Sequence, residues 1–423
     1  MLLALGIFIV TYILLLFFPK IRAYTALASA ACFIILGILP RQNVFGAVDW
    51  NVLMMIAGTM GIVYLFIESK MPAKMADYII DKAPNVKWAI LALALFAGII
   101  SAFVDNVATV LMVAPVALTI AKKLKISPVP SIIAIAISSN LQGAATLVGD
   151  TTSILLGGYA GMDFLDFFFF KGRIGMFFVV QVGALASALI LLLLFRKQSQ
   201  PVHMTEKTQV EDYFPSILLL GTVVLLILAS FIPGKPATTN GIICMGLMAI
   251  GIVREMIRTK DMKAAARVLK GIDVFTLLLL GSLFVVIEGI RQAGVVDEIA
   301  KLFVSISGNN LFLIYTLLTW ASVLLSAFID NIPYIATMLP VTESIALQLG
   351  VDPTILYFGL LAGATLGGNL TPIGASANIT ALGILRKEGH EVDAGTFMKI
   401  SVPITLAAVL MGYILIWLIW MPQ

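Results

Sequence analysis

The chain has 423 residues, of which 60% are hydrophobic and 12% charged, with a mean hydropathy of +1.05 and a formal net charge of +4. That composition lies far outside the range of soluble domains and excludes a soluble enzyme or binding module. The small positive excess sits in no soluble basic region, which excludes a nucleic-acid partner and points instead to the bilayer and its anionic head groups.

The apolar runs are long and continuous, as spanning helices require, and do not alternate as barrel strands would. The expected fold is therefore an all-α polytopic membrane protein. Spans fall near 2–18, 23–40, 50–68, 129–159, 174–195, 214–232, 237–253, 272–290, 353–385 and 401–420. No basic stretch precedes the first, while Lys20 and Arg22 follow it, so it reads as an uncleaved helix with its N-terminus outside. Residues 88–121 form an apolar stretch interrupted by Asp105-Asn106. Its arm Val107–Ala121 rises only about 22 Å, short of a crossing. Lys70, Lys74, Lys82 and Lys87 precede this stretch, and Lys122, Lys123 and Lys125 follow it. Both ends belong on the cytoplasmic side, which makes the stretch a re-entrant hairpin with Asp105-Asn106 at its tip.

Residues 129–159 would extend about 46 Å as one helix, too far for a single span. Ser138, Asn140, Gly143, Thr146, Gly149 and Asp150 stand in its middle, so a broken helix is expected there. After 174–195 a charged loop, 197–213 with His203, links this first half (1–196) to a second (214–423). The basic loop Arg254–Gly271 reads as an amphipathic surface helix. The stretch 310–347, with Asp330-Asn331, is the second hairpin, and 353–385, holding Gly367, Gly368, Gly374 and Pro372, the second broken helix. The cysteines, Cys32 and Cys244, lie in apolar runs and suggest neither a disulfide nor a metal site.

The halves repeat. Ser101-Ala-Phe-Val-Asp-Asn106 recurs as Ser326-Ala-Phe-Ile-Asp-Asn331, and Pro115 with Pro340, Gly143 with Gly368, Thr146 with Thr371 and Gly149 with Gly374 keep the same spacing. Five spans and one hairpin per half is an odd number of crossings, so the expected architecture is two inverted-topology repeats with one broken helix in each. Both chain termini then lie outside a prokaryotic inner membrane. Carboxylates and amides at membrane depth are costly and mark ion or substrate paths. Two acidic tips in a low-dielectric cavity would require Na⁺ or H⁺, with Asp105, Asn106, Asp330 and Asn331 as candidate Na⁺ ligands.

The Asp-Asn tips, followed by Gly-Ala-Ala-Thr-Leu-Val-Gly-Asp and by Gly-Gly-Asn-Leu-Thr-Pro-Ile-Gly-Ala-Ser-Ala-Asn, resemble the ion transporter superfamily. They are most similar to its branch of arsenite permeases, NhaD-type sodium/proton antiporters and the melanosomal P protein, and more distantly to divalent anion/sodium symporters. The resemblance implies a scaffold with a mobile transport part, elevator-type motion and, in several members, a homodimer. It places binding groups on Asp105, Asn106, Thr109, Asn140, Gly143, Thr146, Gly149 and Asp150, and on Asp330, Asn331, Asn369, Thr371, Gly374, Ser376 and Asn378. The chain departs from the family where Thr151-Thr-Ser153 stands in place of Pro-Pro-Asn, and Pro372 has no first-half counterpart.

The reading is thus a secondary active transporter coupled to H⁺ or Na⁺, needing no cofactor and no enzymatic chemistry. Antiport or efflux of a small inorganic ion, Na⁺ or an arsenite-like oxyanion, leads; coupled uptake of a di- or tricarboxylate is the alternative. A channel would need a continuous polar stripe or ring filter, and an enzyme a nucleophile with its base. Plainer roles compete residue by residue. Asp105 and Asp330 could cap helices, the glycines of 143–158 could serve close packing, and Asp49 and Asp273 read as helix-start charges. Glu68 and Glu288 read as interfacial, and Phe167–Phe170 as an interfacial anchor.

Overall fold

A computed structural model describes residues 1–201 and 208–422 of the chain. His203 lies outside them. The described residues are almost entirely helical, with one two-stranded ribbon, Phe169–Phe170 paired with Arg173–Ile174.

Helix α1 (Leu2–Phe17) and α2 (Arg22–Ile35) meet at a bend of 116° around Pro19. A single turn, α3 (Val44–Ala47), precedes α4 (Trp50–Glu68), which Asp49 caps by accepting from the Val52 amide at 3.0 Å. Next come α5 (Met71–Asp81), α6 (Val86–Ser101) and α7 (Asn106–Leu124). The apolar run 129–159 is broken as expected, into α8 (Val129–Gly143) and α9 (Thr151–Ala160). Helix α10 (Met176–Leu194) closes the first half.

The second half runs through α11 (Phe214–Ser230), α12 (Thr239–Thr259), α13 (Lys263–Lys270) and α14 (Val274–Gln292), the last capped by Asp273. Helices α15 (Val295–Ser307) and α16 (Leu311–Ser326) are bent by 118° at Gly308, and α17 (Asn331–Leu349) follows the Asp330 break. Then α18 (Thr354–Gly367) breaks through a 3₁₀ turn into α19 (Ser376–Lys387), and α20 (Ala394–Trp420) ends the chain.

Packing interlocks the two halves. Helix α2 lies against α14 and α4 against α12, while α10 pairs with α20. Helix α6 packs on α8 and α16 on α18. The outer piece of each broken helix crosses over, α9 to α17 and α19 to α7. Helices α8 and α18 are buried nearly throughout; α18 is almost wholly apolar, while α8 is apolar in its first part and polar towards the break, with Ser139, Asn140 and Gln142.

Four expectations need correction. First, the arm after Asp105 is longer than the Val107–Ala121 stretch. Helix α7 takes in Lys122 and Lys123 and spans 19 residues, about 28 Å, so it is long and apolar enough to cross. The lysines favour the helix C-terminus, where the dipole is negative, so charge extends the helix here. Second, α20 begins at Ala394 and not near 401, because Asp393 caps it by accepting from the Thr396 amide at 3.0 Å. Third, α5 and α15 were missed. Each is amphipathic, and buries one face beside the hairpin it leads into through Ala76 and Ile80, or Val295, Val296 and Ala300. Fourth, the phenylalanine run is not simply an interfacial anchor. Phe167 is fully buried, Phe168 stacks on Phe177 at 4.4 Å, and Phe169 is exposed.

By length and composition, six single helices can cross a membrane, and up to eight spans exist if each bent pair counts as one. The basic loop 254–271 does hold a short amphipathic helix, α13. It buries Ala264 and Val268 and leaves its lysines outward.

Candidate functional site

Each Asp-Asn break ends one helix and caps the next. Asp105 Oδ1 accepts from the amides of Val107 (3.0 Å) and Ala108 (3.2 Å), and Asp330 Oδ1 from that of Ile332 (3.1 Å). Capping is therefore real at both tips, and each carboxylate keeps a second oxygen. The helix amides that meet there also present the positive end of α7 and α17.

The broken helices carry equivalent bonds at equivalent positions. Thr146 Oγ1 donates to the carbonyl of Ala102, and Thr371 Oγ1 to that of Ala327. Ser153 Oγ donates to Gly143 O at 3.0 Å, and Asn378 Nδ2 to Gly368 O at 3.1 Å. Ser153 thus makes in the first half the bridge that Asn378 makes in the second. Gly149 and Gly374 lie against carbonyls: a Cβ at Gly149 would stand 2.7 Å from Gly143 O and 3.0 Å from both Ala102 O and Ser101 O. At Gly374 the corresponding oxygens, of Gly368, Ala327 and Ser326, would lie at 2.6, 2.7 and 2.7 Å. The local repeat is thus structural as well as sequential. Gly143 is similarly tight, with Asn106 Oδ1 and the Asp150 side chain under 3 Å from where its Cβ would be.

A polar chain joins the two breaks. Ser139 donates to Ser101, Ser101 to Asn106 Oδ1 and Asn106 Nδ2 to Asn140 Oδ1, each at 3.0 Å. Asn140 Nδ2 donates to Thr365 O (2.7 Å) and Asn369 Oδ1 (3.1 Å), while Asn369 Nδ2 returns to Ile137 O (3.0 Å). Thr152 links Asp150 Oδ2 (2.9 Å) to the Thr365 hydroxyl (3.1 Å). Every one of these groups is buried, so each bond satisfies a polar atom that the surrounding helices largely remove from water. Asn140→Ala removes the acceptor of Asn106 Nδ2 and the donor to Thr365 O and Asn369 Oδ1, and should cost about 2–3 kcal/mol. A detergent melting curve should show the loss as a lowered transition; an unchanged one would refute the network's structural weight.

The two tips open onto one cavity of about 380 Å³. Its wall includes Asp105, Asn106, Asn140 and Asp150 from the first half and Asn331 and Ser376 from the second. The remaining residues assigned by resemblance frame it. Gly143, Thr146, Gly149, Asn369, Thr371, Gly374 and Asn378 hold the breaks, and Thr109 is fully buried with its hydroxyl unpartnered. Asp330 is turned to Arg22, with Nη1 to Oδ2 at 2.8 Å, and receives a longer bond of 3.4 Å from Ser376.

The sequence reading missed Arg22, Thr365, and the mouth of the cavity formed by Tyr64, Gly271, Asp273 and Thr276. Thr365 stands in register with Asn140, a signal the repeat itself offered. Asp273 does cap α14, accepting from the Thr276 amide at 3.1 Å, but it also faces the cavity. Glu68 and Glu288 stay off this cavity's wall. Three carboxylates line it, and among the described residues no lysine or arginine does.

Buried polar breaks facing each other inside a bundle of apolar helices define a secondary membrane transporter. Residues 12–363 match the family profile described as citrate transporter, and the chain belongs to that family, CitMHS, within the ion transporter superfamily. It is therefore a transporter of the class that carries anions, and not an enzyme. A 46 kDa membrane protein of Mycobacterium leprae is 30% identical over 98% of each chain. The P protein of Mus musculus is 27% identical over 92% of this chain and 56% of its own length. Among solved structures, the YdaH transporter of Alcanivorax borkumensis superposes with a TM-score of 0.62, covering 94% of this chain and 96% of that one at 14% identity. That likeness extends to the fold alone.

Proposed function

We propose that this chain moves a small organic anion of the citrate type, coupled to a cation, H⁺ or Na⁺, held between Asp105 and Asp150. The observation that carries the reading is the wall of the cavity: two tips and two helix breaks meet there, with carboxylates and, among the described residues, no basic side chain. Such a wall repels a bare polycarboxylate, so the anion must arrive with its charge offset by cations. The amide of Asn331 and the hydroxyl of Ser376, beside the N-terminus of α19, offer donors to a carboxylate.

The cavity opens beside Tyr64 and Gly271, near the basic segments 70–87 and 254–270, which the positive-inside rule assigns to the cytoplasm. A second cavity of about 510 Å³, beside Asp49, Tyr159, Glu288 and Arg291, occupies the matching place of the other half. Its wall reaches neither Asp105 nor Asp150. The pair suits alternating access by inverted halves, in an elevator-like shift of the hairpins and broken helices against the rest.

The acidic wall also favours a second reading, in which a cation is itself the cargo and Na⁺ exchanges for H⁺. Purified protein in liposomes separates the two. Radiolabelled citrate should accumulate when a proton or sodium gradient is imposed. Sodium-driven proton movement that needs no citrate, with no citrate uptake, would instead establish the exchanger.

A further inference from the structure

The two tips are neutralised in different ways. In the first half Asp105 and Asp150 stand on one cavity wall, and neither forms an ion pair among the described residues. In the second half the position in register with Asp150 is Ala375, so only one carboxylate remains. That carboxylate, Asp330, is held by Arg22 at 2.8 Å, with both side chains largely buried. The guanidinium is fixed further by Nε donating to Leu15 O at 3.2 Å. Arg22 is the first residue of α2, where a helix N-terminus disfavours positive charge. Its position is explained by Asp330 and not by its own helix. At the matching place of the second half, the start of α12, stands Thr239-Asn-Gly with no base, and among the described residues no lysine or arginine lines the cavity beside Asp105.

We propose that Arg22 is a built-in cation that fills the ion position of the second tip, leaving the first tip, Asp105 with Asp150, as the exchangeable cation site. The inference rests on the reading of the tips as cation sites. A guanidinium does not release its proton at any pH the protein meets, so the second tip stays neutral without drawing an ion from solution. The first tip, with two carboxylates and no base, is neutral only when cations occupy it. The transporter then couples through one half while the other is permanently compensated.

The test counts cations bound by the purified full-length protein, as radioactive Na⁺ at equilibrium together with protons taken up in a pH titration. The charge-neutral double variant Arg22→Gln/Asp330→Asn should bind the same number as the unmodified protein. Arg22→Gln alone should bind one more, and Arg22→Lys the original number. A double variant that binds one cation fewer would show Asp330 to be exchangeable and overturn the proposal, as would Arg22→Gln with no gain. Should Arg22→Gln not fold, the double variant decides alone. Asp105→Asn should bind one fewer; if it does not while the Arg22 results hold, the cation site of the proposed function fails and the role of Arg22 stands.

Discussion

Asp150→Asn should fold normally and lose gradient-driven citrate transport by about 100-fold, equivalent to roughly 2.7 kcal/mol. The substitution keeps the features that hold the structure. An amide oxygen can still accept from the Thr151 amide, bonded to Asp150 Oδ1 at 2.8 Å, so the cap of α9 survives. The link from Thr152 to Thr365 also remains within reach. Only the charge disappears, and with it the electrostatic demand for a coupling cation beside Asp105. A buried, unpaired carboxylate destabilises a fold, so the variant's melting temperature should be unchanged or higher. Asp105→Asn should behave in the same way. Coupled flux within a few-fold of the unmodified protein, measured in liposomes, would remove both residues from the coupling site.

Gly149→Ala and Gly374→Ala should each destabilise the protein by about 3 kcal/mol or more, at the upper end for overpacking. A new Cβ at either position meets three backbone carbonyls within 3.0 Å. Two belong to the hairpin break and one to the last turn of the broken helix, so none can swing aside as a side chain would. The closeness has a purpose in the fold: those oxygens are carbonyls at helix ends, drawn together at membrane depth, where Thr146, Ser153, Thr371 and Asn378 supply donors to four of them. Gly383 is the control. It lies inside α19 with nothing within 4 Å of its would-be Cβ, so Gly383→Ala should stabilise by up to about 1 kcal/mol. Detergent melting curves and the yield of monodisperse protein report the difference. Equal behaviour at all three positions would show that the breaks are loosely packed.

Much of this arrangement was legible because it is written locally. An apolar run too long for one span must break, and polar and glycine residues at 140–150 and 368–376 mark the place. Asp before Asn at each tip is a helix cap as well as a site, and the recurrence of the motif identified both copies. Arg22 was not legible. It follows the first apolar run exactly as a topology marker would, and its partner lies 308 residues away. Only tertiary packing brings α2 to the start of α17, so no local pattern separates a buried ion pair from a surface charge. Asp273 illustrates the same limit, since a cap and a cavity wall look identical in sequence. Helices α5 and α15 escaped because charges interrupt their apolar faces, and only contact with the hairpins shows which face is covered.

The most direct test asks whether the anion sits where the two breaks meet. Ser376 lines the cavity and is open to solvent, so Ser376→Cys in a Cys32→Ser background should react with a water-soluble maleimide. Citrate, with the coupling cation present, should slow that reaction over the same concentrations that saturate transport. Labelling that proceeds at one rate with and without citrate, in protein that still carries it, would place the substrate elsewhere and contradict the account.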